Sequence, residues 1–417
     1  MTLAHGRPYL AIPGPSVMPD RVLQAMHRPA PNIYEGALEE MVDGMIPDLK
    51  AVARTGGRVA IYVANGHGAW EAALANIAVE GARVLMPATG RFGHGWAGVA
   101  RGLGIGVEMI DFGRAAPIDP ARVEAALRAD LAAGGAPITA VMASHVDTST
   151  SILNDIKALR AAMDRAGHPA LLMVDCIASL GCDRFEMDEW GVDVMVAASQ
   201  KGLMVPPGLS FVFYSEKAEA VRAKVPRVSL YWDWTPRGQP DAFYQYFGGT
   251  APTHHLYGLR ESLDMLAEEG LENVWSRHRT LARSIWAAAE VWGQGGPLTL
   301  NVADPALRSS AVTALGLGGR NGLRLRKWCE RHAGVTLGIG LGMDTPEDPK
   351  SEGFFRIGHM GHLNPHMILG LLGSLQAGFT ALDIPFGSGG LDAAISVISN
   401  ASQEENVAPA QDAGCCS

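Results

Sequence analysis

Val174-Asp175-Cys176-Ile177-Ala178-Ser179 and, further on, Ser199-Gln200-Lys201-Gly202-Leu203-Met204-Val205-Pro206-Pro207-Gly208-Leu209 decide how this chain reads. Each begins where a short apolar run ends, Leu171–Val174 before the aspartate and Asp193–Ala197 before the lysine. Nearly continuous runs of this length are strands covered on both faces, as in a parallel sheet. An acid therefore leaves the end of one strand and a lysine the end of the next, and open α/β sheets take their ligands at the carboxyl ends of their strands. Taken singly, Asp175 also reads as a helix cap and Lys201 as a solvated surface residue. A lysine between apolar strands and a proline-rich loop is nevertheless poorly placed for solvation.

The same rhythm continues outward. Arg58–Ala64, Arg83–Pro87, Gly106–Asp111, Ile138–Ser144 and Leu209–Phe213 read as further strands, with helices over Gly68–Val79, Pro120–Leu131 and Asp155–Ala166. Such alternation predicts stacked βαβ units. Beyond Tyr257 come two long helices, Leu259–Glu269 and Leu271–Trp292. Strands Pro297–Val302, Ala311–Leu317 and Phe354–Gly358 then mix with helices Leu323–His332, Pro365–Ala381 and Leu391–Asn400. The expected organisation is an N-terminal arm over 1–19, a large α/β domain over 20–270 and a smaller C-terminal α+β domain over 271–400. The large domain should carry a mostly parallel mixed sheet flanked by helices, and the polar stretch 401–417 should be a disordered tail.

Composition narrows the function. A chain of 417 residues, 47% hydrophobic and 18% charged, can bury a large core and is no disordered protein. A net charge of −9 without a basic patch speaks against nucleic acid as a partner. Five cysteines, with Cys415 and Cys416 crowded at the end, suggest neither a disulfide framework nor a zinc ribbon. No uncharged apolar run approaches the roughly 20 residues of a membrane span, and no signal-peptide core follows Met1. The expectation is a soluble, cytoplasmic protein with small-molecule partners.

The acid and the lysine have a specific joint use. A lysine can hold pyridoxal 5'-phosphate as a Schiff base while an aspartate keeps the pyridine nitrogen protonated, which turns the ring into an electron sink for charge at a substrate α-carbon. The same lysine, once freed, can move a proton. That cofactor needs a phosphate cradle, and Ala64-Asn65-Gly66-His67-Gly68-Ala69-Trp70-Glu71 is a glycine-rich turn between a strand and a helix, where backbone N–H groups would face an anion. The turn reads equally as ordinary strand–helix punctuation.

In order and spacing the chain resembles the class V aminotransferases of pyridoxal-phosphate fold type I, and among them the serine–glyoxylate and alanine–glyoxylate (serine–pyruvate) aminotransferases. The matching pieces span residues 9–400: Pro13-Gly14-Pro15-Ser16, Asn65-Gly66-His67-Gly68, Asp175, Ser199-Gln200-Lys201 with Pro206-Pro207-Gly208, and Phe355-Arg356-Ile357-Gly358-His359-Met360-Gly361. The resemblance implies that Lys201 carries the cofactor, that Asp175 partners its ring nitrogen, and that Asn65, Gly66, His67 and Gln200 hold its phosphate. It places Phe92 where a ring stacks on the cofactor and Thr148 where a hydroxyl meets the phenolic oxygen; the alternatives are a core phenylalanine and a strand-end cap. Arg356 would grip the substrate α-carboxylate through paired hydrogen bonds, or else pair with a structural acid. Thr250 would reach the phosphate of a neighbouring subunit, implying a homodimer with shared active sites. Small amino acids and 2-oxo acids would be the substrates, serine or alanine giving its amino group to glyoxylate or pyruvate.

Departures from the family pattern concern the phosphate and the substrate. Gly249 and Ala251 stand where a tyrosine and a proline flank the threonine, with Tyr246 and His254 as possible replacements for the tyrosine. Ser16-Val17 and Asn32-Ile33-Tyr34-Glu35 replace residues at the distal end of the substrate, which makes Ser16 and Tyr34 the candidate side-chain contacts there. Two other chemistries compete: a lyase or cysteine desulfurase of the same family, for which Cys329 on its expected helix is a poor nucleophile while Cys415 and Cys416 lie in the tail, and a metal-dependent hydrolase built on His359, His362 and His366. Gly361 and Pro365 break the helix that this histidine spacing requires.

Overall fold

The computed structural model describes residues 3–407. A seven-stranded sheet has the spatial order Arg58–Tyr62, Ser210–Tyr214, Val194–Ala198, Leu171–Asp175, Ala140–Ser144, Arg83–Ala88, Gly106–Asp111. All neighbours are parallel except Ser210–Tyr214, which runs antiparallel to both strands beside it. The mixed, mostly parallel sheet and flanking helices are those of fold type I.

The central strands 140–144, 171–175, 194–198 and 210–214 are buried at every position, as their unbroken apolar runs require. One face packs against Leu38, Val42, Met45, Leu49, Leu159 and Met163. The other packs against Trp70, Ala73, Leu74, Trp96, Ala97 and Ala100. Asn65, Asp119 and Asp155 cap the helices that follow them with side-chain oxygens.

The second sheet has five strands in the order Tyr9–Ala11, Val335–Ile339, Phe354–Gly358, Val312–Gly316, Thr299–Leu300. Its edge strand comes from the N-terminal stretch and lies parallel to Val335–Ile339. The long helix Leu271–Gln294 closes this layer with Leu281, Ile285, Ala288, Ala289 and Trp292 against Leu371, Leu375 and Phe379 of the helix Pro365–Ala381.

Several elements depart from the sequence reading. Helices Ala37–Ala53 and Arg91–Gly102 were not expected, because the first contains Gly44 and Pro47 and the second Gly93, Gly95 and Gly98. Two of the glycines in the second serve close packing: a Cβ would lie 3.3 Å from the Trp70 ring on Gly95 and 3.3 Å from Ala88 on Gly93. The tail also needs correction, since the last helix runs from Gly390 to Val407. No glycine or proline interrupts Ala401–Val407, so nothing local ends the helix there. The remainder of the expected tail, with Cys415 and Cys416, lies outside the described residues.

Candidate active site

Strand ends assemble the cluster. Asp175 is the last residue of its strand, in register with Ser144 on one side and Val196 on the other. Lys201 follows the neighbouring strand by a tight turn. The next loop over brings Asp147 and Thr148, and the loop beyond that brings Gly90 and Phe92. These are carboxyl ends of parallel strands, where the sequence placed the site.

Asp175 is 4% exposed. Its Oδ2 accepts from the Trp70 indole N–H at 3.0 Å and its Oδ1 from the Ile177 amide at 2.8 Å. Burial pushes its carboxyl up to about 7; the two donors and the charge of Lys201 pull the other way, while Asp147 adds to the rise. Lys201 is 9% exposed, and its ammonium donates to the Pro13 carbonyl. Burial and the nearby Arg356 charge bring it down to about 8, against the pull of Asp175. The aspartate keeps its proton and the lysine gives its proton up more readily than either would in water.

Arg356 reaches this group from the second sheet. It is 6% exposed, with Nε donating to the Ile339 carbonyl at 2.7 Å and Nη1 to the Thr148 carbonyl at 2.8 Å. These bonds fix the plane of the guanidinium, and Nη2 takes part in neither. Burial lowers its proton affinity to about 10, opposed by the charge of Asp147. The partners seen are carbonyls, so the structural-acid alternative for Arg356 finds no direct carboxylate contact here.

The remaining expected residues are placed as follows. Asn65 caps the helix Gly66–Ala75 by accepting from the amides of His67, at 3.1 Å, and Gly68, at 3.4 Å. Gly66 is buried and His67 exposed, its ring 4.6 Å from that of Trp70. Half-buried Phe92 sits edge-on to Trp70 at 6.2 Å, and Thr148 is buried. Thr250 is exposed on the turn before helix Thr253–Glu269.

The last two expected residues lie as follows. The Ser16 hydroxyl donates to the Lys201 carbonyl at 2.7 Å, and the Ser16 amide to the Gln200 carbonyl at 2.9 Å, so Ser16 braces the lysine turn. A hydroxyl whose proton is committed to the backbone has only its lone pairs left for a substrate. Tyr34 is 86% exposed on the loop before helix Ala37–Ala53, and an exposed ring cannot also line a buried pocket of its own chain.

The three histidines do not converge. His359 is fully buried, with Nε2 2.8 Å from the Thr313 hydroxyl and Nδ1 2.8 Å from the Ser310 carbonyl, whereas His362 and His366 are exposed. Among the described residues no group of three or more His, Cys, Asp or Glu side chains is arranged to hold a metal ion. Cys329 is buried in the turn after helix Asn321–Trp328, its thiol facing the Ser374 carbonyl. No described helix is long and apolar enough to cross a membrane.

Three contributors escaped the sequence reading: Trp70, which donates to Asp175; Gly14, which packs on Lys201; and Asp147, whose carboxylate accepts from the Phe92 amide. The signal for the last was present in His145-Val146-Asp147-Thr148, where an acid directly precedes the expected hydroxyl.

An α/β chain with two main sheets, a lysine and an acid at adjacent strand ends of the first and an arginine from the second has the layout of a fold type I aminotransferase. The family model for class V aminotransferases matches residues 59–340, and the chain belongs to that family. It is 36% identical to the serine–glyoxylate aminotransferase of Methylorubrum extorquens over 90% of this chain and 92% of that protein. Identity to the L-aspartate–glyoxylate aminotransferase of Paracoccus denitrificans is 35%, over 91% of this chain and 93% of the other. Among solved structures, the ureidoglycine–glyoxylate aminotransferase of Bacillus subtilis superposes with a TM-score of 0.84 at 26% identity, covering 95% of this chain and 99% of that one.

The protein is therefore an aminotransferase, and the family's cofactor is pyridoxal 5'-phosphate. The residues present fit it. A buried acid and a buried lysine stand at neighbouring strand ends, a helix N-terminus opens at Gly66, and the Gln200 carboxamide oxygen is buried with no hydrogen-bond partner. An orphaned buried amide of this kind marks a place that the chain's own packing leaves incomplete.

Proposed function

We propose that the chain is a homodimeric transaminase that moves the amino group of serine or alanine to glyoxylate, with pyruvate as second acceptor, in a ping-pong cycle in the cytoplasm. The observation that carries this reading is the buried trio Asp175, Lys201 and Arg356, drawn from two sheets and electrostatically coupled. Glyoxylate as acceptor is supported by the relatives named above, all of which bear it in their names.

The cofactor, when bound, supplies the electron sink that stabilises negative charge at the α-carbon. Lys201 would hold it, Asp175 would share a proton with its ring nitrogen, Phe92 would cover its face and Thr148 its phenolic oxygen. Asn65, Gly66, His67 and Gln200 would hold the phosphate. Arg356 would orient the substrate through its carboxylate. Lys201, with its affinity lowered to about 8, is partly neutral near neutral pH and would take the α-proton of the amino acid. In the second half of the cycle it would return a proton to the α-carbon of the oxo acid.

A second copy of the chain would complete the site. Thr250, Tyr34 and Leu230 at 92% exposure lie on loops, and Tyr244 at 60% on the short helix Phe243–Phe247, all open to solvent in the single chain. The loop after Leu230 borders the phosphate cradle, since the Tyr231 hydroxyl donates to the Val63 carbonyl at 3.1 Å. In this dimer Thr250 would reach the partner's phosphate and Tyr34 the partner's substrate. Incubation with serine and glyoxylate should yield hydroxypyruvate and glycine in equal amounts, with parallel double-reciprocal plots; no glycine from serine or alanine would refute the substrate assignment.

A further inference from the structure

Helix Arg91–Gly102 begins after Gly90, a residue with no side chain to cap it. Its first amides are met by a carboxylate from far along the chain. Asp147, fully buried, accepts from Phe92 N at 2.9 Å and Gly93 N at 3.2 Å on Oδ2, and from Ser149 N at 2.9 Å and Ser149 Oγ at 2.5 Å on Oδ1. Ser149 Oγ in turn accepts from Arg91 N at 3.0 Å. Gly90 must be glycine for this approach, because a Cβ there would lie 2.5 Å from the Asp147 carboxyl carbon. An anion at a helix N-terminus is favoured by both the free amides and the helix dipole.

The residue that follows Asp147 does a second job: the Thr148 carbonyl receives Arg356 Nη1. Residues 147–149 thus tie together three elements, the helix carrying Phe92 through the Asp147 and Ser149 side chains, and the segment carrying Thr148 to the strand carrying Arg356 through the Thr148 carbonyl. Asp147 also raises the proton affinity of Arg356 and of Asp175 through its charge.

We propose that Asp147 is the positioning residue of this active site: its buried carboxylate sets Phe92 and, through the Thr148 peptide, Arg356 in mutual register. The inference rests on the substrate and cofactor roles proposed above for Arg356 and Phe92. A carboxylate is required because all its bonds are accepted; an asparagine would turn an NH2 group toward amide or hydroxyl donors.

The test compares the wild type with Asp147→Asn, Ser149→Ala and Arg356→Leu, all loaded with pyridoxal phosphate. For each variant, KM for both substrates, the circular dichroism of the bound cofactor and the melting temperature of the cofactor-free protein are measured. Asp147→Asn should raise both KM values by about tenfold or more and change the cofactor's dichroism. Ser149→Ala keeps the carboxylate and removes one donor, and should shift both readouts in the same direction by less. A fall in melting temperature with KM and dichroism unchanged would overturn the proposal, leaving Asp147 a structural cap. If Asp147→Asn does not fold, unchanged KM and dichroism in Ser149→Ala would overturn it. Failure of the underlying reading is separable: Arg356→Leu would then leave KM unchanged, whereas a raised KM in Arg356→Leu with none in Asp147→Asn sinks this inference alone.

Discussion

Gly14 and Lys201 touch so closely that a methyl group on Gly14 would lie 2.5 Å from Lys201 Cε and 2.6 Å from Cδ. Gly14 also sits at φ +93°, a conformation side chains rarely adopt. Gly14→Ala should therefore displace the lysine and strain the turn, costing about 1–3 kcal/mol of stability. Cofactor affinity should fall with it. Titration of the cofactor-free variant with pyridoxal phosphate, beside a denaturant melt, checks both effects; wild-type affinity would show that this contact does not hold the lysine in place.

Lys201→Ala removes the group assigned both to carry the cofactor and to transfer the proton. Turnover should disappear, and the visible absorbance of the bound cofactor should be lost or strongly shifted. Retained turnover would remove Lys201 from the mechanism.

In the role proposed for Arg356, Arg356→Leu would leave the substrate carboxylate without its cation. The loss of one partner of a buried charged pair costs about 2–5 kcal/mol, which should appear mainly in KM for amino acid and oxo acid alike. Steady-state kinetics at saturating cofactor checks this, and unchanged KM values would contradict the assignment.

Asp175 gives the cofactor-free protein a definite pH dependence. Its carboxyl rises from 3.8 to about 7 on folding, so between these values the native state holds a proton that the unfolded state has released. Its contribution to stability is full below pH 3.8 and falls as pH rises to about 7, at about 1.4 kcal/mol per pKa unit. Lys201 acts in the opposite sense, its contribution growing from about pH 8 to 10.5. Denaturant midpoints of wild type and Asp175→Asn, compared at pH 5 and at pH 7.5, should show a pH-dependent gap that the asparagine abolishes. Parallel pH curves for the two proteins would contradict the raised carboxyl.

Much of this was legible in the sequence because the central strands are buried on both faces and so announce themselves as apolar runs. Strand ends then place Asp175 and Lys201 without further information. What escaped was set by tertiary contact. Strand Val335–Ile339 contains Gly338, where a Cβ would lie 2.6 Å from Pro13 Cδ, so its glycine makes room for the turn that follows the N-terminal strand paired beside it. In helix Arg91–Gly102, Gly95 makes room for Trp70 and Gly93 for Ala88, and the carboxylate that meets its first amides comes from Asp147, far along the chain. For Tyr34 and Ser16 the sequence supplies position alone, whereas the exposed ring and the hydroxyl turned to the Lys201 carbonyl are set by the fold.

The most direct test of the central claim is the absorbance spectrum of the purified protein with pyridoxal phosphate, titrated with serine, alanine and aspartate and then with glyoxylate. The account predicts a cofactor band that serine or alanine converts to the amine form and that glyoxylate restores, with Lys201→Ala showing neither change. A bound cofactor that none of the amino acids converts would contradict the proposed substrates, and a protein that binds no pyridoxal phosphate would contradict the site itself.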